Sequence, residues 1–113
     1  MKYTWIITTL ECKVSENGLN NVISTIHWRY SATNENGITA DTYGSQNVPS
    51  PIQTEGEYFI PYENITKEII IEWLESTLEV ELIQNRLNAQ INLIENPTIV
   101  SLPLPFTQID NQL

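Results

Sequence analysis

The stretch "SENGLNN" (residues 15–21) decides the fold, because it separates two runs in which apolar and polar residues alternate. Asn17 and Gly18 both tolerate a positive φ, and an Asn-Gly pair between two such runs is typical of a tight hairpin turn. The flanking runs, residues 3–14 and 22–33, are rich in β-branched and aromatic side chains, which suit a pleated sheet. The sequence therefore predicts an antiparallel β-hairpin.

The alternation also predicts which side chains of the second run face the core. Val22, Ile26 and Trp28 share one parity, which is interrupted only by Ser24, and the other parity is more polar. A half-buried strand shows this pattern because successive side chains point to opposite faces. We expect Val22, Ile26 and Trp28 to point inward.

A third strand follows the hairpin. Asn36-Gly37 is a second turn signal, and "ITADTYGS" (residues 38–45) after it reads as a strand. Residues 45–57 hold two prolines, a glycine and many polar residues, which predicts a loop. The first half of the chain is therefore an antiparallel meander that needs a layer packed on its apolar face.

Two helices are predicted to supply that layer. Thr66 can cap the first helix, with Ile65 and Ile70 forming a hydrophobic staple around the cap. Apolar residues then recur at spacings of three and four as far as Asn96-Pro97, a sound helix stop. The segment "STLE" (Ser76 to Glu79) fits a capping box, so we expect helices at about 67–76 and 79–95 rather than one rod.

These elements predict an α+β fold, with a three- to four-stranded antiparallel meander (residues 3–44) packed by two C-terminal helices. We assign residues 1–96 to a single domain. Residues 97–113 are predicted to form an extended, proline-containing apolar tail with a polar end.

The tail contains "PTIVSLPLPF" (residues 97–106), which we call the strap. Pro103 and Pro105 lack a backbone N–H and fix φ, so the strap should be extended and suited to a sheet edge. Two alternatives remain open: an edge strand on its own sheet that covers the core, or strand addition to a partner. The candidate partner-binding side chains are Ile99, Leu102, Leu104 and Phe106.

Charge argues against several classes of partner. The net charge is −9, and the five basic residues are scattered along the sequence. Nucleic-acid binding needs a basic stripe, and an anionic membrane would repel this chain, so we expect neither partner. No run of apolar residues is long enough to span a bilayer, and the N-terminus lacks the features of a signal peptide.

The sequence contains no set of residues typical of catalysis or metal binding. His27 is the only histidine and Cys12 the only cysteine. They could face each other across the hairpin, but two ligands do not make a zinc site, and neither residue has the partners of a nucleophile. Acidic pairs such as Glu72 and Glu75, or Glu79 and Glu81, read as solvated helix faces. We therefore expect no enzyme activity, cofactor, metal or small-molecule ligand.

Several stretches together resemble a family of small, mostly uncharacterised virion-associated proteins of tailed, cyanophage-like bacteriophages (Caudoviricetes). They are residues 3–33, "FIPYENITKEIIIEWLES" (59–76), "VELIQNRLNAQI" (80–91) and "NPTIVSLPLPF" (96–106). The resemblance implies a tryptophan-bearing hairpin, two helices and a proline-studded tail, and it brings no catalytic residues.

The resemblance also implies a location and a role. We expect a structural component of the virion, assembled in the bacterial cytoplasm, that contacts other phage proteins or copies of itself. It would be a tail, baseplate or fibre-associated adaptor, or a head decoration protein. The alternative is a non-virion accessory protein, such as an assembly chaperone or an acidic inhibitor of a host protein.

Overall fold

The computed structural model describes residues 1–48, 54–55 and 58–108. Its strands are β1 (Lys2–Glu16), β2 (Leu19–Thr33), β3 (Thr39–Asn47), β4 (Thr54–Glu55) and β5 (Tyr58–Phe59). A 3-10 helix (Tyr62–Asn64) leads into the helices α1 (Lys67–Thr77) and α2 (Val80–Glu95). The three long strands form an antiparallel sheet in the order β1-β2-β3, followed by two C-terminal helices, which confirms the predicted α+β fold.

The predicted loop at 45–57 differs from the structure at both ends. β3 continues to Asn47, and Thr54–Glu55 pairs with Tyr58–Phe59 in a short ribbon. The rest of that prediction, residues 49–53 and 56–57, lies outside the described residues.

The hairpin turn between β1 and β2 has the predicted geometry. Glu16 pairs with Leu19, so Asn17 and Gly18 form a two-residue turn, with φ of 50° and 81°. Two successive positive φ angles define a type I′ turn, whose twist matches that of the strands it joins.

Two bulges interrupt the pairing of β1 with β2. Thr8 is an extra residue on β1, between the pairs Ile7–Trp28 and Thr9–His27. Ser24 is an extra residue on β2, and its hydroxyl donates to the Glu11 carbonyl at 3.0 Å. Each bulge shifts the alternation of its own strand by one residue, because the added residue breaks the period of two.

The bulge at Ser24 places in the core a residue, Ile23, that the alternation assigned to the more polar face. Ile23 pairs with Cys12 on the inner face and belongs to the hydrophobic core. Val22 pairs with Lys13, one step further along the ladder, and is buried outside that core cluster. The predictions for Ile26 and Trp28 are confirmed, since both are core residues.

The second turn is built differently from the predicted Asn-Gly hairpin. Thr33 pairs with Thr39, which leaves five residues in the connection. The Asn34 side chain accepts from the backbone N–H groups of Asn36 and Ile38, both at 3.0 Å. Gly37 alone in this connection has a positive φ (78°), so Asn34 organises the loop and Gly37 closes it.

The two helices start in different ways. The Thr66 hydroxyl accepts from the N–H of Ile69 at 3.3 Å, which confirms the predicted cap of α1. The predicted capping box at Ser76 to Glu79 is wrong. Ser76 lies inside α1 and donates to the Trp73 carbonyl, and Glu79 caps α2 without a side-chain hydrogen bond. The break between the helices does occur there, at Leu78 and Glu79.

The core lies between the inner face of the sheet and the two helices. Trp5 and Trp28 meet edge to face with ring centroids 5.5 Å apart. Gln84 of α2 donates to the Tyr30 hydroxyl at 2.9 Å, which links helix to sheet. The core residues are Trp5, Ile23, Ile26, Trp28, Tyr30, Ala32, Ala40, Ile70, Leu74, Leu87 and Ile91.

Candidate interaction site

The strap leaves the body of the protein and exposes its apolar side chains. Its backbone forms no strand between residues 97 and 106, so it is not an edge strand of its own sheet. Ile99 is 88% exposed, Leu102 78% and Phe106 61%, and Val100 and Leu104 are exposed as well. Of the two alternatives left open by the sequence, packing on its own core is excluded in this structure.

The origin of the strap is fixed by the end of α2. The backbone N–H of Asn96 donates to the Asn92 carbonyl at 2.7 Å, which completes the last turn before Pro97. The Asn36 side chain donates to the Glu95 carboxylate at 3.4 Å, so this helix end is tied to the β2–β3 connection. The strap therefore starts from a defined point at one end of the sheet.

A second apolar feature lies along β1. In the described part of the chain no strand other than β2 pairs with β1, so the outer edge of β1 from Tyr3 to Leu10 is open to an added strand. A cavity of about 350 Å³ opens beside this edge. We call the edge from Tyr3 to Leu10, with this cavity, the edge groove; the cavity is lined by Ile6, Ile7, Leu10, Ile65, Thr66, Lys67 and Ile70.

The edge groove carries little of the protection that is usual for a sheet edge. Natural edge strands are blunted by charges, prolines or short length. The segment from Tyr3 to Leu10 contains neither charge nor proline, and β1 is 15 residues long. The bulge at Thr8 is the one feature within this segment that is known to protect sheet edges from pairing.

Another cavity, of about 340 Å³, lies between β3 and the α1–α2 junction. Apolar side chains such as Leu78 and Leu82 line it, together with the polar heads of Arg86 and Gln90. Trp28 contributes to its wall, and its indole N–H is buried with no hydrogen-bond partner among the described residues. That N–H is shielded from solvent, so it offers no donor to a ligand entering the cavity.

The structure separates the two residues with nucleophilic or ligand chemistry. Cys12 is on the inner face opposite Ile23, whereas His27 pairs with Thr9 on the outer face and bonds to the Glu11 carboxylate. Burial raises the pKa of the Cys12 thiol, which lowers its reactivity. Cys12 and His27 therefore do not face each other across the hairpin, the arrangement that the sequence had left open.

The remaining charges of the described residues form no ligand cage. Arg29 approaches Asp41 at 3.8 Å and Lys13 contacts Glu16 at 3.1 Å, both near the surface. The acidic pairs of the helices are exposed; they are Glu72, Glu75, Glu79 and Glu81. Within residues 1–48 and 58–108, no three metal-ligating side chains cluster. In the same part of the chain, no helix is both long and apolar enough to cross a membrane.

The sequence predicts the strap side chains as candidate partner-binding residues, but it does not predict the edge groove. Ile6, Ile7 and Leu10 read as ordinary strand residues, and only their neighbours in space show that they border an open cavity. One signal was available in the sequence: an uncharged, proline-free run of eight residues in a strand that would lie at the start of a meander.

Comparison with known proteins identifies one family. A family model described as a domain of unknown function (DUF7936) matches residues 1–106, and the chain belongs to this family. No curated protein and no solved structure matches the chain. The matched range ends at Phe106 and therefore includes the whole strap.

Proposed function

We propose that this member of the DUF7936 family is a non-enzymatic structural component of a tailed phage particle, and that it acts through protein–protein contacts made by the strap. The observation that carries the proposal is the exposure of five large apolar side chains within the ten residues of the strap. Together they expose on the order of 500 Å², a patch size that marks interaction sites on monomeric proteins.

The strap is suited to docking because little of its freedom is lost on binding. Pro103 and Pro105 restrict φ in the free chain, so fewer backbone conformations have to be given up. The helix end tied to Asn36 sets where the strap begins. The protein would act as a compact body that lays an apolar arm on a neighbour.

The phage assignment rests on the resemblance of residues 3–33, 59–76, 80–91 and 96–106 to virion-associated proteins. The partners would be other structural proteins of the particle or copies of this chain, with no nucleic acid or membrane involved. The position would be in a tail, baseplate or fibre, or on the head as a decoration protein.

Mass spectrometry of purified particles tests this proposal. We expect the protein at a stoichiometric ratio to known structural proteins of the same virion. The double variant Leu102→Ser with Leu104→Ser should be absent from particles, because the strap then loses apolar contacts with its partner. The matched control, Leu93→Ser with Ile94→Ser, removes exposed apolar side chains from α2 and should leave incorporation unchanged. Absence of the unaltered protein from particles would refute the proposal.

A non-virion accessory role, as an assembly chaperone or an acidic inhibitor of a host protein, is the alternative. Exposed carboxylates on and between the helices favour it, among them Glu72, Glu75 and Glu79. Such binding would weaken steeply with salt, because it would depend on exposed charges. Binding through the strap would be much less sensitive to salt.

A further inference from the structure

We propose that the strap of one copy docks into the edge groove of a second copy, where residues 98–106 add a fourth strand to the sheet beside β1. This inference rests on the proposed function, because it names the partner of the strap. Among the described residues the same chain carries both halves of such a contact, an apolar segment that joins no sheet and a sheet edge beside which no strand lies.

The prolines of the strap suit it to one-sided pairing. In an extended strand, residues two apart direct their backbone N–H groups to the same side and their side chains to the same face. Leu102, Leu104 and Phe106 therefore direct three donors to one side, while Pro103 and Pro105 supply none to the opposite side, which keeps only the N–H groups of Ile99 and Ser101. A strand of this kind can pair with β1 and offers few donors to a further strand, which suits an edge position.

The side chains fit the same arrangement. The face that carries Leu102, Leu104 and Phe106 would lie over the cavity, whose walls include Ile7 and Leu10 from β1. Further apolar wall comes from Ile65 and Ile70 at the start of α1.

Length and area agree with docking. Nine strap residues span roughly 30 Å and the eight residues from Tyr3 to Leu10 roughly 26 Å in extended form. Burying the strap would remove roughly 500 Å² from each partner, a total of roughly 1,000 Å², which is the size of a weak, concentration-dependent interface.

Charge selects this contact over other contacts between copies. Two bodies of net charge −9 repel each other, but the strap and the edge from Tyr3 to Leu10 are uncharged. Two of the five basic residues lie near this edge, with Lys2 at the start of β1 and Lys67 at the cavity. An approaching acidic copy therefore meets the least repulsion here.

The contact is heterologous, because the strap and the groove are different surfaces. Each copy offers one strap and one groove, so association proceeds head to tail, into a ring if the rotation between copies closes and into an open filament if it does not. This feature makes the proposal testable with variants that lack one half of the contact.

Sedimentation of the full-length protein over a range of concentrations provides the test. The groove variant is Ile6→Glu, which places a charge on a residue that is 41% exposed at the cavity. The strap variant is Leu102→Ser with Leu104→Ser. Self-association of each variant alone should be weakened at least about tenfold. Each variant should therefore stay monomeric at concentrations at which the unaltered protein forms oligomers. An equimolar mixture should form heterodimers and nothing larger, because one strap and one groove remain.

Matched controls separate this contact from general changes in surface. Val14→Glu puts the same charge on β1 at a residue that is 81% exposed and away from the cavity, and Leu93→Ser with Ile94→Ser removes apolar side chains outside the strap. Both should associate as the unaltered protein does, into oligomers that grow with concentration. If Ile6→Glu alters the far-ultraviolet circular dichroism, Ile6→Ser replaces it, since that change removes the apolar contact without adding a charge.

Three results would overturn the inference: an unaltered protein that stays monomeric, variants that still self-associate, or a mixture that forms no heterodimer. A monomeric protein that is nevertheless present in particles would remove this inference and leave the proposed function standing. A protein that forms the oligomer but is absent from particles would refute the proposed function and leave this inference standing.

Discussion

Gly44 lies opposite Trp28 in the register of β3 with β2, and the indole ring occupies the space of the missing side chain. A Cβ built on Gly44 would lie 2.7 Å from Cζ2 of Trp28, closer than real carbon atoms approach. The absence of a side chain at this position is what lets the tryptophan lie across the sheet.

We expect Gly44→Ala to lower the free energy of unfolding by about 1–3 kcal/mol, because the new methyl group forces the buried indole to move. Urea unfolding followed by tryptophan fluorescence measures the change. Ser45→Ala, at the next and exposed residue of β3, is the control and should stay within about 0.5 kcal/mol. Equal stability of Gly44→Ala and the unaltered protein would mean that the indole is not held against β3.

Cys12 gives a prediction about reactivity. Burial raises the pKa of its thiol, so at a given pH the folded protein holds a smaller thiolate fraction than the unfolded chain. Alkylation by iodoacetamide at about pH 8 should therefore be slower in the folded protein than in urea. The raised pKa also stabilises the fold below the pKa of the unfolded thiol, and this contribution is lost as pH rises through the folded pKa. Equal alkylation rates in both states would contradict the assigned burial.

Single residues differ in how well the sequence predicts them. Asn17-Gly18 was predictable because few other dipeptides adopt two successive positive φ angles. Asn34 was not, since its role depends on two N–H groups brought to its side chain by the loop itself. The contact of Trp28 with Gly44 could not be predicted either, because it depends on the register between β2 and β3.

Elements were predicted well in type and less well in register. Both helices and the three long strands lie where periodicity placed them, because the periods of 2 and 3.6 are strong signals over this length. The bulges were missed, although the inner face of β1 changes parity between Ile7 and Leu10. Thr8 and Thr9 are identical, so the sequence alone cannot show which of them is the extra residue.

The cap of α1 can be tested as an element. Thr66→Ala removes the acceptor for the N–H of Ile69, and we expect a loss of about 1 kcal/mol in unfolding free energy. Thr66→Ser keeps the hydroxyl and should retain most of that stability. Urea unfolding followed by circular dichroism at helical wavelengths distinguishes the two variants, and equal losses would show that the hydroxyl does not stabilise the helix.

At the scale of the molecule, the dimensions are those of an extended protein. The longest dimension is 80 Å, and the radius of gyration is 22.2 Å. A compact chain of this length would have a radius of gyration of about 13 Å. The two 15-residue strands of the hairpin, each roughly 50 Å long, contribute to the longest dimension. The strap's position could not be predicted, because both alternatives satisfy the same proline pattern.

The strap should be separable from the folded body. We expect deletion of residues 97–113 to leave the circular dichroism spectrum and the urea midpoint unchanged, since the strap's apolar side chains are exposed. The same deletion should abolish incorporation into the particle. A truncated protein that is unfolded would place the strap in the protein's own core and contradict the exposed arrangement.

The paired bulges of the hairpin have a consequence for insertions and deletions in this family. Removing Thr8 would bring Ile7–Trp28 and Thr9–His27 together as successive pairs, and removing Ser24 would do the same for Glu11–Thr25 and Cys12–Ile23. Neither deletion moves any other pair, so β1 or β2 can change length by one residue and keep its core. What would change is the bend of the ribbon, because bulges increase local twist. The hairpin's curvature can therefore evolve independently of its interior.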